Sequence, residues 1–385
     1  MDTRISDSIL YIGCDDDDLD LFEGLYIVPN GVSYNSYVIM DEKIAIMDTA
    51  DARVADQWMT NLKAALGDRK PDYLVVSHME PDHASNIKMV AEEYPEMKIV
   101  GNAKTFPMMA QFFDVDVSER SVVVKEGDTL NLGEHELTFV MAPMVHWPEV
   151  MVEYESKEKV LFSADGFGKF GSLKTDEDWA CEARRYYFNI VGKFGASVQA
   201  LLKKAANLDI QTICPLHGPI LKENLGYYIG LYDTWSKYEP ESEGIFVACA
   251  SIHGNTKKAA EKLVAKLEAT GVKVAFSDIT REDMAEAVED AFRYDRLVLC
   301  ASTYDGGVFP PMDDFIHHLQ AKNYQKRTIG FMENGSWAPT AAKQMKAAFE
   351  NAKDITILDP VVTIKSTLNS ESEAKMDELV AALTK

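Results

Sequence analysis

Four residues that bind protons or metal ions lie within six positions of this sequence, directly after a stretch that reads as a buried strand. The segment HMEPDHASN follows PDYLVVS at 71–77. Crowded carboxylates repel each other, so the cluster is tolerable only where a cation lies among its members. These members are His78, Glu80, Asp82 and His83. The chain must therefore fold so that the end of this strand faces a metal ion.

Length and charge indicate a two-domain protein that does not bind nucleic acids. Its 385 residues exceed the size at which one hydrophobic core keeps growing. Sixty-two acidic and 39 basic residues give a net charge of −23, and no cluster of Lys and Arg is present for a phosphate backbone. The first residues, MDTRISDSIL, form no basic and apolar leader, and no apolar run reaches the roughly 18 residues that span a bilayer. We therefore expect a cytoplasmic protein.

Two further sequence features indicate structure rather than a site. The cysteines are odd in number, scattered and free of any C-x-x-C pair, which predicts reduced thiols and excludes a rubredoxin-type iron site within the chain. The acidic run DDDDLD at 15–20 lacks the spacing and the Gly of an EF-hand loop, so it predicts a solvated loop rather than a calcium site.

Metal-binding side chains recur where strands of the first half are expected to end. The strand candidates LTFVMAP at 137–143 and VMVEY at 150–154 flank His146. The candidate VLFSAD ends on Asp165, and TICP precedes His217. Loops at strand ends often carry functional residues on a rigid sheet scaffold. We therefore expect these three residues to join the first cluster in one metal site.

The second half alternates apolar strands with amphipathic helices. The strand candidates are IFVACAS, VKVAFSDI, RLVLCAS, RTIGFME and ITILDPVVTI, and the helix candidates include NTKKAAEKLVAKLEATG. This alternation predicts a parallel sheet with helices on both faces. The polar segment YEPESEG at 238–244 indicates a linker. The predicted domains are therefore residues 1–243 and 244–385.

Three loops of the second half are rich in Gly and polar groups. SIHGNT at 251–256, between a strand and a helix, directs N–H and hydroxyl groups at an anion, and it lacks the G-x-x-x-x-G-K-[ST] pattern of an NTP cradle. It resembles the phosphate loop of flavodoxins, which holds the 5′-phosphate of FMN, and the sheet order 2-1-3-4-5 would bring all three loops to one edge. Tyr304 or Trp337 could stack on the isoalloxazine ring; otherwise the glycines are ordinary turn residues. The candidate FMN-binding residues are Ser251, His253, Gly254, Asn255, Thr256, Ser302, Thr303, Tyr304, Asp305, Gly306, Gly307, Asn334, Gly335, Ser336 and Trp337.

The first half resembles the metallo-β-lactamase fold, whose hydrolases carry H-x-H-x-D-H. Here Glu80 replaces the second His, and H-x-E-x-D-H is the pattern of the flavodiiron proteins, which GVSYNSYVI near the start also resembles. Carboxylates suit two irons better than two zincs, because they balance more of the charge of the ferric state. The resemblance implies one iron held by His78, Glu80 and His146, another held by Asp82 and His217, and Asp165 between them. His83 is a less regular ligand in that family, and Asp165 and His83 are the catalytic candidates.

A metallo-β-lactamase-like αββα sandwich followed by a flavodoxin-like doubly wound sheet is the architecture of the flavodiiron proteins. The resemblance implies reduction of O2 to water, of NO to N2O, or of both, at two non-haem irons that receive electrons through FMN. It also implies a small electron donor such as rubredoxin, and a head-to-tail homodimer or a dimer of dimers. No rubredoxin or flavin reductase module follows the second half, so we expect the donor to be a separate protein.

Two other functions remain open from the residues alone. A metal hydrolase with a regulatory flavodoxin-like domain would use a metal-bound hydroxide as its nucleophile. An electron carrier with a vestigial metal domain would have lost ligands, and none is lost here. The metal content distinguishes these functions: iron indicates the reductase, zinc the hydrolase, and no metal the carrier.

Overall fold

The computed structural model describes residues 3–385 and divides them into two units that pack mainly on themselves. The first unit runs to Tyr187 and resumes over Ala196–Asp233, and the second consists of Phe188–Gly195 and Thr234–Lys385. The predicted boundary between residues 243 and 244 falls inside a strand that begins at Ser242. The division at that position stays a prediction.

Short, mostly buried strands dominate the first unit. They are, in chain order, β1 (Ile9–Tyr11), β2 (Cys14–Asp16), β3 (Leu21–Phe22), β4 (Tyr26–Ile27), β5 (Val32–Tyr34), β6 (Tyr37–Ile39), β7 (Ala45–Met47), β8 (Tyr73–Val75), β9 (Lys98–Asn102), β10 (Ser121–Val124), β11 (Thr129–Asn131), β12 (Glu136–Met141), β13 (Met151–Glu155), β14 (Val160–Phe162) and β15 (Thr212–Cys214). The helices are α1 (Ala55–Leu66), α2 (Pro81–Ala84), α3 (Ile87–Glu93), α4 (Thr105–Phe112), α5 (Trp179–Tyr186), α6 (Gly195–Ala205) and α7 (Leu225–Ser236).

Two sheets of this unit share one core. One has the order β1-β6-β7-β8-β9-β10, the other the order β11-β12-β13-β14-β15. Apolar residues of both sheets meet between them; the rings of Tyr37 on β6 and Phe162 on β14, for example, lie 5.4 Å apart. Strands β7 and β8 are buried throughout and pair in parallel, which explains their continuous apolar sequences. This pair of packed sheets confirms the predicted sandwich.

The acidic run near the N-terminus departs from its prediction. Its first two residues, Asp15 and Asp16, belong to β2, which pairs with β5. Asp16 is buried, and its carboxylate lies 2.5 Å from the Nε atom of Arg53. The prediction of a solvated loop is therefore wrong for these two residues: both lie in a strand, and Arg53, 37 positions from Asp16, compensates the buried charge of Asp16.

The second unit is a parallel sheet with helices on its faces. Its strands are β16 (Ser242–Ala250), β17 (Val274–Asp278), β18 (Tyr294–Tyr304), β19 (Gly307–Val308), β20 (Thr328–Asn334) and β21 (Thr356–Ile364). Its helices are α8 (Asn255–Glu268), α9 (Met284–Arg293), α10 (Pro310–Ala321), α11 (Ala341–Phe349) and α12 (Ser370–Leu383). The order β17-β16-β18-β20-β21, parallel throughout, is the predicted 2-1-3-4-5 order.

Apolar residues of the helices and of the central strands form a core on one face of this sheet. Ala259 and Leu263 of α8, and Leu379 of α12, pack on Val247 and Val298 of the central strands. Turns at the carboxyl ends of β16, β18 and β20 then lie side by side, as parallel strands require. Throughout residues 3–385, no helix combines the length and the apolar composition needed to cross a bilayer.

Candidate metal centre and flavin site

The first group of metal-binding side chains lies beyond the ends of β8, β12 and β14. Each member offers one ligand atom, and these atoms lie within 4.8 Å of one another: His78, Glu80, His146 and Asp165. The Nε2 atoms of the two imidazoles lie 3.1 and 2.9 Å from the same oxygen of Glu80. The same two Nε2 atoms lie 3.4 and 3.1 Å from Oδ2 of Asp165. Both imidazoles and both carboxylates therefore face one small volume that can hold an ion.

The second group consists of Asp82, His83 and His217, all buried. The two imidazole Nε2 atoms lie 3.0 Å apart. Oδ2 of Asp82 lies 3.3 Å from Nε2 of His83 and 3.1 Å from Nε2 of His217. The structure thus brings together the seven residues predicted from the sequence as two groups, while their roles as ligands remain predictions.

Local backbone geometry explains how so short a segment serves both groups. Glu80 precedes α2, a single turn whose first residue is Pro81, where the missing N–H of proline costs nothing. This turn presents Asp82 and His83 to the second group, while Glu80 stays with the first. Thr49 donates from both its N–H and its hydroxyl to the carbonyl oxygen of His83, which fixes the turn from the end of β7.

The positions of the imidazole hydrogens fit metal binding. Nδ1 of His217 lies 2.8 Å from the carbonyl oxygen of Ser33, and Nδ1 of His78 lies 2.9 Å from a carboxylate oxygen of Glu149. These oxygens accept, so Nδ1 carries the hydrogen, and Nε2 of each neutral imidazole presents a lone pair to the centre. Lone pairs facing carboxylate oxygens at about 3 Å repel each other unless a cation or a proton lies between them.

Unpartnered polar atoms lead to the same conclusion. Among residues 3–385, the oxygens of Asp82 and Asp165 are buried without a hydrogen-bond partner, as is Nδ1 of His83. Buried polar atoms normally have hydrogen-bond partners. Buried carboxylate oxygens that lack such partners and face imidazole nitrogens have the arrangement of metal ligands. The donor set, with three carboxylates and four imidazoles, suits two ions that take mixed nitrogen and oxygen ligands, as iron does.

Without bound metal ions, protons would balance the charges of the centre. Burial alone would lower the pKa of His78 and of His146, but the surrounding carboxylates reverse this. Asp165 is the main cause of a pKa of His78 well above the ordinary value, and Asp165 with Glu80 raises the pKa of His146 to about 9. Burial opposes the charge of Asp165, yet the same imidazoles hold its pKa well below the ordinary range. Metal ions must therefore displace protons from the imidazoles when they bind.

Two acidic residues near the centre were not predicted from the sequence. Glu149 is buried and accepts hydrogen bonds from His78 Nδ1 and from the N–H of Met79, at 2.9 and 2.8 Å. Glu23 lies on the exposed turn between β3 and β4, but its carboxyl group contacts Glu80, and burial of this group together with that neighbour raises its pKa to about 7. The only sequence signal for Glu149 is its place three residues after His146, and Glu23 has none.

The predicted flavin-binding loops line one cavity of about 620 Å³ in the second unit. Thirteen of the fifteen candidates lie on its wall: Ser251, His253, Asn255, Thr256, Ser302, Thr303, Tyr304, Asp305, Gly306, Asn334, Gly335, Ser336 and Trp337. Gly254 and Gly307 do not contribute to the wall; Gly254 directly precedes α8, and Gly307 is the first residue of β19. The wall also includes Ile252, Ala338, Thr340 and Ser366, of which only Ser366 lies outside the predicted loops, SIHGNT at 251–256, STYDGG at 302–307 and MENGSWAPT at 332–340.

The chemistry of this cavity fits a phosphorylated aromatic ligand. Helix α8 begins at Asn255, and the first N–H groups of a helix have no acceptor inside it. Gly254 precedes the helix with φ of +87°, and a Cβ at this position would meet nothing within 4 Å, so the backbone is open to a close approach. The hydroxyl groups of Thr256 and Ser302 lie 2.9 Å apart and link two of the loops. Trp337 is 92% exposed and offers an aromatic face at the rim.

Comparisons with known proteins agree with both halves. Residues 32–218 match the ODP family beta lactamase, and residues 246–363 match the flavodoxin domain. The chain is 28% identical to the nitric oxide reductase of Moorella thermoacetica, over 97% of this chain and 96% of the relative. It is 26% identical to the anaerobic nitric oxide reductase flavorubredoxin of Vibrio vulnificus, over 91% of this chain and 74% of the relative. Its fold matches that of the rubredoxin oxygen:oxidoreductase of Desulfovibrio gigas with a TM-score of 0.89 at 23% identity, over 99% and 98% of the two chains.

Proposed function

Because the chain belongs to the flavodiiron protein family through both of its halves, we propose that this oxidoreductase reduces O2 to water, NO to N2O, or both. Its cofactors are FMN and a non-haem diiron centre. The observation that carries the proposal is the pair of adjacent donor groups with three carboxylates, in a chain that also has a flavodoxin-type cavity. A zinc hydrolase would need neither the added carboxylate at Glu80 nor the flavin site.

The proposed ligand roles follow the two donor groups. His78, Glu80 and His146 would hold one iron, Asp82 and His217 the other, and Asp165 would lie between them. When bound, the irons supply binding positions and electrons for the gas, and FMN supplies electrons to the irons. The chain's own contribution is to keep the imidazole lone pairs aimed inward and to balance the metal charge with buried carboxylates.

His83 differs from His78 and His217 in its surroundings. Nδ1 of His78 and Nδ1 of His217 each have an acceptor, whereas Nδ1 of His83 has none among residues 3–385. A metal-binding imidazole usually donates its second N–H to an acceptor that fixes its orientation. We propose that His83 is the more mobile ligand and can leave or approach the second iron.

We further propose a separate one-electron carrier such as rubredoxin as donor, a head-to-tail homodimer or dimer of dimers, and a cytoplasmic location. The cytoplasmic location is supported by five cysteines that form no disulfide. Sedimentation analysis tests the assembly, since a strict monomer with rapid turnover would contradict a dimeric active unit.

Metal analysis combined with one variant tests the reaction. We expect about two iron ions and one FMN per purified chain, with zinc indicating the hydrolase instead. Asp165→Ala should abolish the reduction of limiting O2 to water and of NO to N2O after anaerobic reduction, while FMN stays bound and reducible, because no flavin-cavity residue is altered. Asp209→Ala is the control, since Asp209 is an exposed acid of the same unit that pairs with Lys159. If the wild-type protein forms stoichiometric peroxide from O2 and no N2O from NO, the proposed reaction is wrong and the protein contains only a flavin that autoxidises.

A further inference from the structure

A buried cluster of two carboxyl groups and one hydroxyl lies behind the metal centre. Ser77, the residue before His78, donates its N–H to Oδ1 of Asp48 at 2.8 Å, and its hydroxyl oxygen lies 2.9 Å from Oε2 of Glu153. Its carbonyl oxygen accepts the N–H of Met151 at 3.1 Å. Ser77 is therefore held on three sides, by groups at the end of β7 and on β13, at the point where the ligand segment leaves β8.

The two buried carboxyl groups of this cluster require one more proton than the hydroxyl of Ser77 supplies. Asp48 and Glu153 are 3% and 0% exposed, and across residues 3–385 neither forms an ion pair with Lys or Arg. Both carboxyl groups contact the hydroxyl of Ser77, which carries a single hydrogen. Two buried carboxylates that share one donor and no cation would repel each other, so one of them must be neutral.

The surroundings decide which carboxyl group carries the proton. Asp48 accepts a backbone N–H and lies in the field of the imidazoles of His83 and His78, and its pKa rises through burial only to about 6. Glu153 gains nothing comparable, because its register partners on the neighbouring strands are Phe139 and Phe162. Burial and the charge of Asp48 hold the pKa of Glu153 well above its ordinary value. The other oxygen of its carboxyl group, Oε1, has no hydrogen-bond partner among the described residues.

We propose that Glu153 is a carboxylic acid in the folded protein and that, through Ser77 and Asp48, it positions the segment from which His78 projects. In this arrangement Oε2 of Glu153 donates its hydrogen to the hydroxyl oxygen of Ser77, and the Ser77 hydroxyl donates its own hydrogen to the Asp48 carboxylate. All donors then point in one direction, and the single negative charge ends on Asp48, nearest the imidazoles. Glu153 is thus a positioning residue. Its positioning role rests on the proposed metal function, whereas its protonation does not.

Infrared spectroscopy and two substitutions test the two parts separately. Glu153→Gln keeps the shape and the donor of a neutral acid, whereas Glu153→Leu removes the donor. We expect wild-type protein to show the carbonyl stretch of a protonated carboxylic acid at neutral pH, and Glu153→Gln to lose it. In iron-loaded protein, release of ferrous ion to a chelator should match the wild type in Glu153→Gln and be about 10-fold or more faster in Glu153→Leu.

Each result has a defined meaning. Absence, at neutral pH, of any acid band that the wild type shows and Glu153→Gln lacks overturns the protonation of Glu153, since Glu23, with a pKa of about 7, contributes equally to both spectra. An acid band together with equal iron release from Glu153→Gln and Glu153→Leu overturns the positioning role. If Glu153→Leu fails to fold, faster iron release from Glu153→Gln alone overturns that role, since the neutral isostere should preserve it. Wild-type protein that binds no iron contradicts the proposed function and leaves the infrared test intact.

Discussion

Glu149 should control how tightly the first metal position holds iron, although it does not face the ion. Its carboxylate accepts the Nδ1 hydrogen of His78 at 2.9 Å and the N–H of Met79 at 2.8 Å, and it is fully buried. Burial opposes its charge, but the hydrogen bond with His78 lowers its pKa, so it stays ionised. Glu149→Ala would free the imidazole to rotate or to move its hydrogen to Nε2, where it blocks the lone pair that binds metal.

The expected magnitude follows from the loss of that partner. Removing a group that orients a metal-bound imidazole lowers metal affinity roughly 10- to 100-fold, equivalent to about 1.4–2.8 kcal/mol. The protein as a whole should also lose stability, because Met79 keeps a buried N–H without its acceptor. The two effects must be separated, since an unstable protein can lose metal for reasons unrelated to His78.

The chain provides a matched control in the same unit. Glu155 is also fully buried and accepts the Nδ1 hydrogen of His135 at 3.0 Å, together with two backbone N–H groups, but its imidazole serves no metal group. Ferrous-ion affinity, measured by competition with a chelator, should fall in Glu149→Ala and stay within about twofold of wild type in Glu155→Ala, while both variants melt at lower temperature. Equal affinity in the two variants would refute the proposed control of His78 by Glu149.

Three further perturbations test the flavin cavity and the charges of the metal centre. Gly254→Val should yield flavin-free protein by absorbance, with iron retained, whereas Gly271→Val should keep FMN, because its φ of +86° imposes the same strain, about 1–2 kcal/mol, outside the cavity. His253 is the only wall residue with a basic side chain, so His253→Gln should weaken FMN binding in low-salt buffer by up to about fivefold and leave riboflavin binding unaffected; equal losses for both would contradict a phosphate contact. Metal-free protein should melt at progressively lower temperature as the pH rises from about 6.5 to about 9, because the raised pKa of His146 stabilises the fold only while that imidazole is protonated. Iron-loaded protein should lack this dependence, and a metal-free protein equally stable at both pH values would contradict it.

The residues that face the metals and the flavin could be predicted from the sequence because each lies at the carboxyl end of a strand or shortly after it. Asp165 and His217 each come three positions after a mostly buried strand, β14 or β15, and the flavin loops lie at the ends of β16, β18 and β20. The carboxyl ends of parallel strands meet at one edge, so linear position predicts proximity in space. Ser366 shows the limit of this reasoning, since it lies two residues past β21, a strand whose end had not been assigned to the site.

The residues behind the ligands could not be predicted, because the alternation of acidic and apolar residues along their strand predicts that the acids face water. In β13 the sequence MVEYE places acids at every second position, a pattern typical of a strand with one face in water. Glu153 and Glu155 instead lie on the same face as Met151, which belongs to the core between the two sheets, and neither acid is exposed. Each is compensated by a partner distant in the sequence, Ser77 or His135. An acid that faces water and an acid that faces a buried polar partner produce the same alternation, so only the position of that partner, 76 residues away for Glu153, distinguishes a solvated surface from the support of a metal centre.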